Sequence, residues 1–497
     1  MNRFFTSRAR HALPALLAAL VLAGCATVPA SSVTPAGAPP ARFKEAGERW
    51  TIAQPAEAQP RGEWWRAFND PVLDGLATRA GAANANIQQA AARLAQARAL
   101  VRNTDADRAV QAGVGAGATR QAGANTAGGA RPATLVTAGA SLSWEPDLFG
   151  RLAKAGDAAR MDAQSREALL QSTRLLVQAE VAQTYLALRA ADTERALVRQ
   201  TVAAYEGSLQ LTERRFRAGD VAELDVARVR TELAATEAEA IALDRRRAEL
   251  EHALAVLVGE PASAFSLAEA DWSTALPGIP AGVPSTVLTR RPDVSAAQSG
   301  ILAAQARLGV AQAAWFPDIA LTAAGGYASP DIGDLFKWSA RAWSVGALLS
   351  LPLFDGGRRQ AGVDGAAAQL DDALAGYRGQ VLGAFRDVED QLSSLRLLRE
   401  QALAQGRAVE AASRATVLSD SRYRNGMVSQ LELLDARRSE LHNRRQALQV
   451  KAAQYYATVG LIRAIGGGWD TAPGAGSNGP GVTQLATAPL AAPVAPR

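Results

Sequence analysis

Side chains able to do chemistry are scarce in this sequence of 497 residues. Its single cysteine excludes an internal disulfide framework and any metal site built from several cysteines. The three histidines, His11, His252 and His442, lie far apart, and neither of the last two has a nucleophile at an informative spacing. The glycine-rich run 113–117 lacks the lysine, helix start and acidic partner of a nucleotide site. The sequence therefore predicts no catalytic residue, no metal site, no cofactor and no enzyme.

The single cysteine, Cys25, directly follows a predicted secretion signal. Arg3, Arg8 and Arg10 precede an apolar run over 12–23, which is too short to span a bilayer but suits a signal peptide. The run ends in the letters LAGC, which resemble the bacterial lipobox, where a peptidase cuts before the cysteine and its thiol and new amine are acylated. We predict a lipoprotein whose Cys25 carries palmitate-type chains in the outer membrane. The alternative is an ordinary signal peptide with a cysteine near the cut.

The composition favours long helices over compact mixed domains. Hydrophobic residues make up 48% of the chain, yet aromatic residues make up only 5%, and Ala, Arg, Leu and Gln dominate. The 53 basic and 48 acidic residues leave a net charge of only +5, which argues against strong binding to nucleic acid.

The ordered body is a duplication with an offset of 207 residues. The segment 215–221, RFRAGDV, returns at 422–428 as RYRNGMV, and 181–189 returns at 388–396. Each copy predicts a helix, two strands and two very long helices. The long helices carry one narrow apolar stripe and charges throughout, so they must pack against other helices as water-facing rods.

Each pair of long helices turns at a glycine, Gly219 or Gly426. Because the flanking residues have helical periodicity, we expect these glycines to end a helix in the left-handed conformation. Two capping boxes, Asp220 with Glu223 and Ser429 with Glu432, are predicted to start the return helices.

The strands have the alternation of transmembrane barrel strands, apolar outward and small or polar inward. The outward residues of the two clearest strands are Val136, Ala138, Ala140, Leu142 and Trp144, and Trp343, Val345, Ala347, Leu349 and Leu351. Four strands cannot close a barrel, so copies of the chain must share one. A dimer would give eight strands and a filled interior, and a trimer would give twelve and a lumen. Two soluble hairpins are the alternative.

The sequence resembles the outer membrane factor (TolC) family, and in detail its NodT-type lipoprotein branch in RND multidrug efflux systems. The residues that carry the resemblance are Cys25, Trp64-Trp65, Asp70-Pro71-Val72-Leu73, SWEPDLFG at 143–150, RRPDV at 290–294, Trp315-Phe316-Pro317, LPLF at 351–354 and the two glycine turns. It implies an α+β, mainly α membrane protein, in which three copies build a twelve-stranded outer-membrane β-barrel continued by a long periplasmic α-helical barrel.

The resemblance also implies a periplasmic gate at the helical turns. Glu432 and Asp435 match the family's ring of carboxylates, while Tyr423 and Asp225 match the links that hold the tip shut. A basic residue often found two positions after the second glycine is Val428 here, which puts that salt bridge in doubt. The alternative for the acidic pair is that Glu432 completes a capping box and Asp435 lies on a solvated helix face.

By the same resemblance, the turns meet a periplasmic adaptor (membrane fusion) protein. The predicted contact residues are Phe216, Gly219, Asp220, Asn425 and Gly426. The implied function is a homotrimeric exit duct of a tripartite pump, which passively conducts drugs or other small molecules from an inner-membrane RND pump across the outer membrane. The alternative is a lipid-anchored periplasmic coiled-coil scaffold or adaptor without a pore.

The expected organisation has six parts. They are a signal peptide at 1–24, a lipidated flexible tether at 25–60, a first efflux repeat at 61–259, an equatorial linker at 260–289, a second repeat at 290–468 and a disordered tail at 469–497. The expected strands are 110–120, 134–145, 318–329 and 341–352, and the expected long helices are 151–217, 221–258, 358–424 and 429–465.

Overall fold

The computed structural model describes residues 43–45, 62–122, 132–278 and 290–467. The predicted signal peptide, Cys25, most of the tether, residues 279–289 of the linker and the tail therefore lie outside the described residues.

Helices and strands follow the same order in both halves of the chain. The first half contains α1 (Pro71–Ala83), α2 (Ala85–Ala106), β1 (Gln111–Gln121), β2 (Ala133–Trp144), α3 (Arg151–Arg217) and α4 (Glu223–Leu257). The second half contains α5 (Pro292–Ala313), β3 (Asp318–Ser329), β4 (Arg341–Ser350), α6 (Arg358–Arg424) and α7 (Gln430–Ala464). The bounds of α2, α3 and α4 recur 207 positions later as those of α5, α6 and α7. At the strand ends, β4 stops two residues before the expected position 352.

The duplication extends to individual hydrogen bonds, even where the side chains differ. Asn84, before α2, donates from Nδ2 to the carbonyl of Leu257 at the end of α4, at 2.8 Å. At the equivalent positions, Arg291 donates from Nη1 to the carbonyl of Ala464 at the end of α7, at 3.3 Å. Both bonds satisfy a carbonyl that a helix end leaves without an intrahelical partner. The same junction is therefore built twice with unrelated residues.

The four strands form one antiparallel sheet in the order β1-β2-β3-β4. Its register puts the apolar positions of all four strands on one face, where one row across the sheet reads Ala112, Leu142, Ala323 and Val345. The neighbouring row on the other face reads Gly113, Ser141, Ala324 and Ser344. The outer edges of β1 and β4 have no partner strand within the described chain. Both faces of the sheet are largely exposed in the single chain.

The main hydrophobic core lies near the middle of the long helices. Helix α3 packs against α2, α4, α5 and α7, and the core forms where α1 and the linker segment 265–272 close over them. In this segment the ring of Trp272 lies 4.8 Å from that of Tyr455 of α7. Fully buried members of the core are Phe68, Leu73, Leu186, Leu461 and Ile462. The described part of the linker is thus attached to the helices through Phe265 and Trp272, while most of its other residues are exposed.

One part of the predicted flexible tether is packed, so that prediction is wrong at residues 43–45. Phe43 is buried, with its ring centroid 6.0 Å from that of Phe385 in α6. The backbone N–H groups of Lys44 and Glu45 donate to the two carboxylate oxygens of Glu389, at 2.6 and 2.9 Å. An aromatic anchor, a carboxylate that accepts two backbone N–H groups and an ion pair between Glu45 and Arg396 hold this short segment.

Helix α6 is unusually exposed for its length. It has 67 residues, like α3, but buries only 7 of them where α3 buries 21. Its exposed side chains include the apolar residues Leu382, Leu397, Leu403 and Val417. A water-facing helix with so narrow a buried stripe is expected to gain further packing in an assembly. Among the described residues, no helix is long and apolar enough to cross a membrane.

Candidate functional site

The tip of the molecule is formed by the two helical turns, 218–222 and 425–429. Gly219 and Gly426 have positive φ values of 83° and 71°, which confirms that each glycine ends its helix in the left-handed conformation. Behind Gly219, the N–H of Asp220 donates to the carbonyl of Arg215 at 2.9 Å. Behind Gly426, the N–H of Met427 donates to the carbonyl of Arg422 at 2.8 Å. Both turns are therefore Schellman motifs, which fix the angle between paired helices.

The predicted caps of the return helices differ between the two turns. At α7 the Ser429 hydroxyl accepts the N–H of Glu432 at 3.4 Å, which is one half of the predicted capping box; the reciprocal bond to the Glu432 carboxylate is not formed among the described residues. The capping box of Asp220 with Glu223 is wrong, because α4 begins only at Glu223 and the residue before it is Ala222, which has no side-chain cap. The pair equivalent to Ser429 and Glu432 is thus Ala222 and Asp225, and the first turn lacks the hydroxyl.

The acidic pair lies on the exposed face of α7, one turn beyond the tip. Glu432 and Asp435 are both exposed, whereas Leu433 and Leu434 between them are buried at 1%. Asp435 has one weak partner, Arg438, whose Nη1 is 3.4 Å from its Oδ1. The Glu432 carboxylate has no hydrogen-bonding or ionic partner among the described residues. In the single chain both carboxylates are therefore accessible to solvent.

The two residues expected to link the tip contact different partners within the chain. Tyr423 is buried, and its hydroxyl lies 3.3 Å from Oγ1 of Thr212 in α3. The carboxylate of Asp225 lies 3.7 Å from Nη1 of Arg228, one turn further along α4. A direct bond between Tyr423 and Asp225 is not formed in the described chain.

Sequence reasoning missed a set of arginines on α7 that reach the first repeat. Arg438 contacts Glu232 of α4, and Arg445 donates to Glu194 of α3 at 2.8 Å. The hydrogen bond from Arg438 lowers the pKa of Glu232, so that carboxylate stays ionised at neutral pH. The signal was the spacing, since positions 434, 438, 441 and 445 follow one stripe of the helix that starts at buried Leu434.

The turn residues expected to meet a partner are accessible. The side chain of Phe216 is 43% exposed although it is aromatic, and Asp220, Asn425 and Gly426 are also exposed. Asn425 donates from Nδ2 to the carbonyl of Ser421 at 2.8 Å, which holds its side chain along the end of α6.

Two long helical hairpins, an exposed pair of carboxylates near their tip, and a sheet that has an apolar face and two open edges within the described residues define a class of duplicated outer membrane proteins with long helical extensions. The chain belongs to the outer membrane efflux protein family, whose model matches residues 76–260 and 283–467. The two matched blocks start 207 positions apart, which is the offset of the internal repeat. Membership locates the protein in the outer membrane and makes it a component of efflux pumps; the family is one of channels.

Similar proteins match along nearly the whole chain. Outer membrane protein OprJ of Pseudomonas aeruginosa is 34% identical over 464 residues, which are 92% of this chain and 95% of OprJ. The probable efflux pump outer membrane protein TtgC of Pseudomonas putida is 33% identical, covering 91% of this chain and 94% of TtgC. The solved structure of the outer-membrane channel OprN is 32% identical with a TM-score of 0.80, covering 89% of this chain and 99% of OprN.

Proposed function

We propose that three copies of this chain form a duct through the outer membrane, which receives small molecules from a periplasmic adaptor and an inner-membrane RND pump. The sheet carries the proposal, because within the described residues its four strands have a continuous apolar face and two edges without a partner. Open edges are not tolerated in lipid, and the smallest membrane barrels need about eight strands. Three sheets give a twelve-stranded barrel with a lumen, and the exposed apolar residues of α6 supply helix contacts between copies.

The inner face of this barrel would be polar but uncharged between the strand ends. It carries glycine, alanine, serine and threonine at most positions of the register, as in the row of Gly113, Ser141, Ala324 and Ser344. Fixed charges would then act on solutes mainly at the tip, where three copies contribute six carboxylates from Glu432 and Asp435. The duct would supply no energy itself and would accept what the pump delivers.

Electrical recording tests the duct directly. We expect the purified full-length protein to form channels in planar lipid bilayers, with closures that depend on the carboxylates of Glu432 and Asp435. A complete absence of channels, across a range of voltages and salt concentrations, would instead favour a lipid-anchored scaffold that has no pore.

The membrane anchor is proposed at Cys25, on the basis of its LAGC sequence. Mass spectrometry of the mature chain should find acyl chains on Cys25, and Cys25→Ser should remove them. Lipid still attached to the Cys25→Ser variant would contradict the assignment. Because the barrel itself spans the membrane, we expect the variant to retain channel activity in bilayers once it is purified.

The exposed turns are proposed as the adaptor contact. Phe216, Gly219 and Asp220 in one turn and Asn425 and Gly426 in the other lie together at the far end of the helices. Site-specific crosslinking from positions 216 and 425 in cells should capture the adaptor, and crosslinks from mid-helix positions alone would contradict this surface.

A further inference from the structure

Helices α2 and α5 hold equivalent positions in the two repeats, but only α5 is packed on two sides. Helix α5 packs along both α3 and α6, whereas α2 packs along α3. By the offset of 207 residues, the α2–α3 contact is the counterpart of the α5–α6 contact. The α3–α5 contact has no comparable counterpart within the described residues, and such a counterpart would join an α6 to an α2.

The face of α5 that meets α3 is covered, while its counterpart on α2 is open. On α5, Ala296, Ala303 and Ala313 are 4%, 0% and 5% exposed. On α2, the positions 207 residues earlier are all exposed, together with three others at the same helical spacing of three and four residues. We call these six residues the α2 face: Gln89, Ala92, Gln96, Ala99, Asn103 and Ala106.

The reciprocal face of α6 is also open, and its residues are small. In α3, Ala158 is 6% exposed, and the hydroxyl of Ser165 donates to the carbonyl of Ala296 in α5 at 3.0 Å. Their equivalents in α6, Gly365 and Asp372, are exposed, and a Cβ atom at Gly365 would meet nothing within 4 Å. We call the residues at this spacing the α6 face: Ala361, Gly365, Ala368, Asp372, Gly376 and Gly379.

The sizes of facing residues indicate which helix fits the α6 face. Within the chain, Lys154 of α3 lies over Gly309 of α5, where a Cβ atom would be 2.7 Å from the lysine Cδ. At the equivalent positions, α6 carries Ala361 and α2 carries Arg102. The long side chain has changed helix, so α6 against α2 again places one long residue beside one small residue. An α5 in the same place would leave a gap, and packed interfaces leave few such voids.

Asp372 is the only charged residue of the α6 face, and it has no hydrogen-bonding or ionic partner among the described residues. Its equivalent Ser165 meets Ala296, and the counterpart of Ala296 on α2 is Gln89. Arg93 lies one turn further along α2, is exposed and also has no partner in the described part of the chain. An amide and a guanidinium thus face a carboxylate, and hydrogen bonds to charged groups are the stronger ones.

We propose that the α2 face of one copy docks on the α6 face of the next copy, where Asp372 accepts hydrogen bonds from Gln89 and Arg93. The contact joins two different surfaces of the chain, so repeating it closes a ring when the rotation permits. The proposal rests on the proposed function, since it names the surfaces at which the three copies meet.

Disulfide crosslinking tests the contact in the full-length protein in its membrane. Oxidation of Gln89→Cys combined with Asp372→Cys should give linked chains, up to three, on a denaturing gel without reductant, because a disulfide requires Cα atoms about 4.4–6.8 Å apart. The matched control pairs Gln89→Cys with Asp371→Cys, since the equivalent of Asp371 in α3, Gln164, is exposed. This control and the wild type, whose single cysteine is Cys25, should give no ladder. Equal linking by both pairs, or none by the first, would overturn the proposal.

An added side chain on the α6 face tests the same contact without cysteines. Gly365 and Gly406 both lie in α6 with open space around a Cβ atom, so leucine at either position should leave the single chain folded. The equivalent of Gly365 is the buried Ala158, whereas that of Gly406 is the exposed Arg199. Gly365→Leu should therefore lower the fraction of trimer after detergent extraction, measured by light scattering, and Gly406→Leu should match the wild type.

Channel recordings separate this proposal from the proposed function. Equal amounts of conducting trimer in both leucine variants would overturn the docking faces and leave the duct intact. Linked chains from the Gln89→Cys and Asp372→Cys pair, in a protein that never conducts, would support the docking faces and contradict the duct.

Discussion

Replacement of Glu432 and Asp435 together by alanine is expected to raise the conductance of the resting channel and to reduce its preference for cations severalfold. Both carboxylates are exposed on one face of α7, and Glu432 has no countercharge in the described chain. In a trimer the change removes six negative charges around a narrow opening, where rings of carboxylates attract cations and repel anions.

Reversal potentials under a salt gradient measure this selectivity, and single-channel currents measure conductance. The matched control is Asp220→Ala with Glu223→Ala, which removes the same charge from the other turn of the tip. Because those two residues lie in the turn of the first repeat and not in the proposed ring of carboxylates, we expect their replacement to change the currents little. If both double variants behaved like the wild type, the acidic pair would only cap and solvate its helix.

Gly326→Ala is expected to abolish or strongly reduce assembly in the outer membrane, whereas Gly325→Ala should assemble normally. A Cβ atom at Gly326 would lie 2.3 Å from the carbonyl oxygen of Ala138 and 2.5 Å from Cα of Gly139. Both contacts are with the backbone of β2, which cannot move without breaking the sheet register. At Gly325 a Cβ atom would meet nothing within 4 Å. A strand glycine such as Gly326, which has no room for a Cβ atom, marks a close approach of two backbones.

The adjacent positions make this comparison strict, since both variants add one methyl group to the same strand. Overpacking typically costs about 1–3 kcal/mol, and backbone contacts this short are expected to lie at or above the upper end of that range. The amount of protein recovered from outer-membrane fractions, with total expression as reference, gives the answer. Equal recovery of the two variants would show that β2 and β3 are further apart in the assembled barrel.

Much of the architecture follows from the sequence because it depends on local spacing. A long run of apolar residues at helical spacing, with no proline, predicts the long helices. The observed bounds of α3 and α6 are those expected, 151–217 and 358–424. A glycine with helical flanks predicts a left-handed end, as found at Gly219 and Gly426. Alternation along a strand predicts its apolar face, because successive side chains point to opposite sides.

Other features depend on neighbours that are distant in the chain. The box of Asp220 with Glu223 fails because the start of α4 is shifted to 223 by the geometry of the turn. Phe43 packs because Phe385 and Glu389 happen to lie beside it, some 340 residues away. Asn84 and Arg291 each donate to the carbonyl at the end of a helix, and this shared role cannot be predicted by comparing the two residue types.

The sequence by itself determined the duplication, the long helices, the turns, the faces of the strands and the family. These are encoded by periodicity and by short motifs, which each segment carries alone. Only the tertiary structure decided which charges meet. Arginines occur throughout α3 and α7, but a guanidinium joins two helices only when acceptors from the other helix lie within about 3 Å of its nitrogens. Arg215 and Arg437 meet that condition because α3 packs against the α6–α7 hairpin in one register.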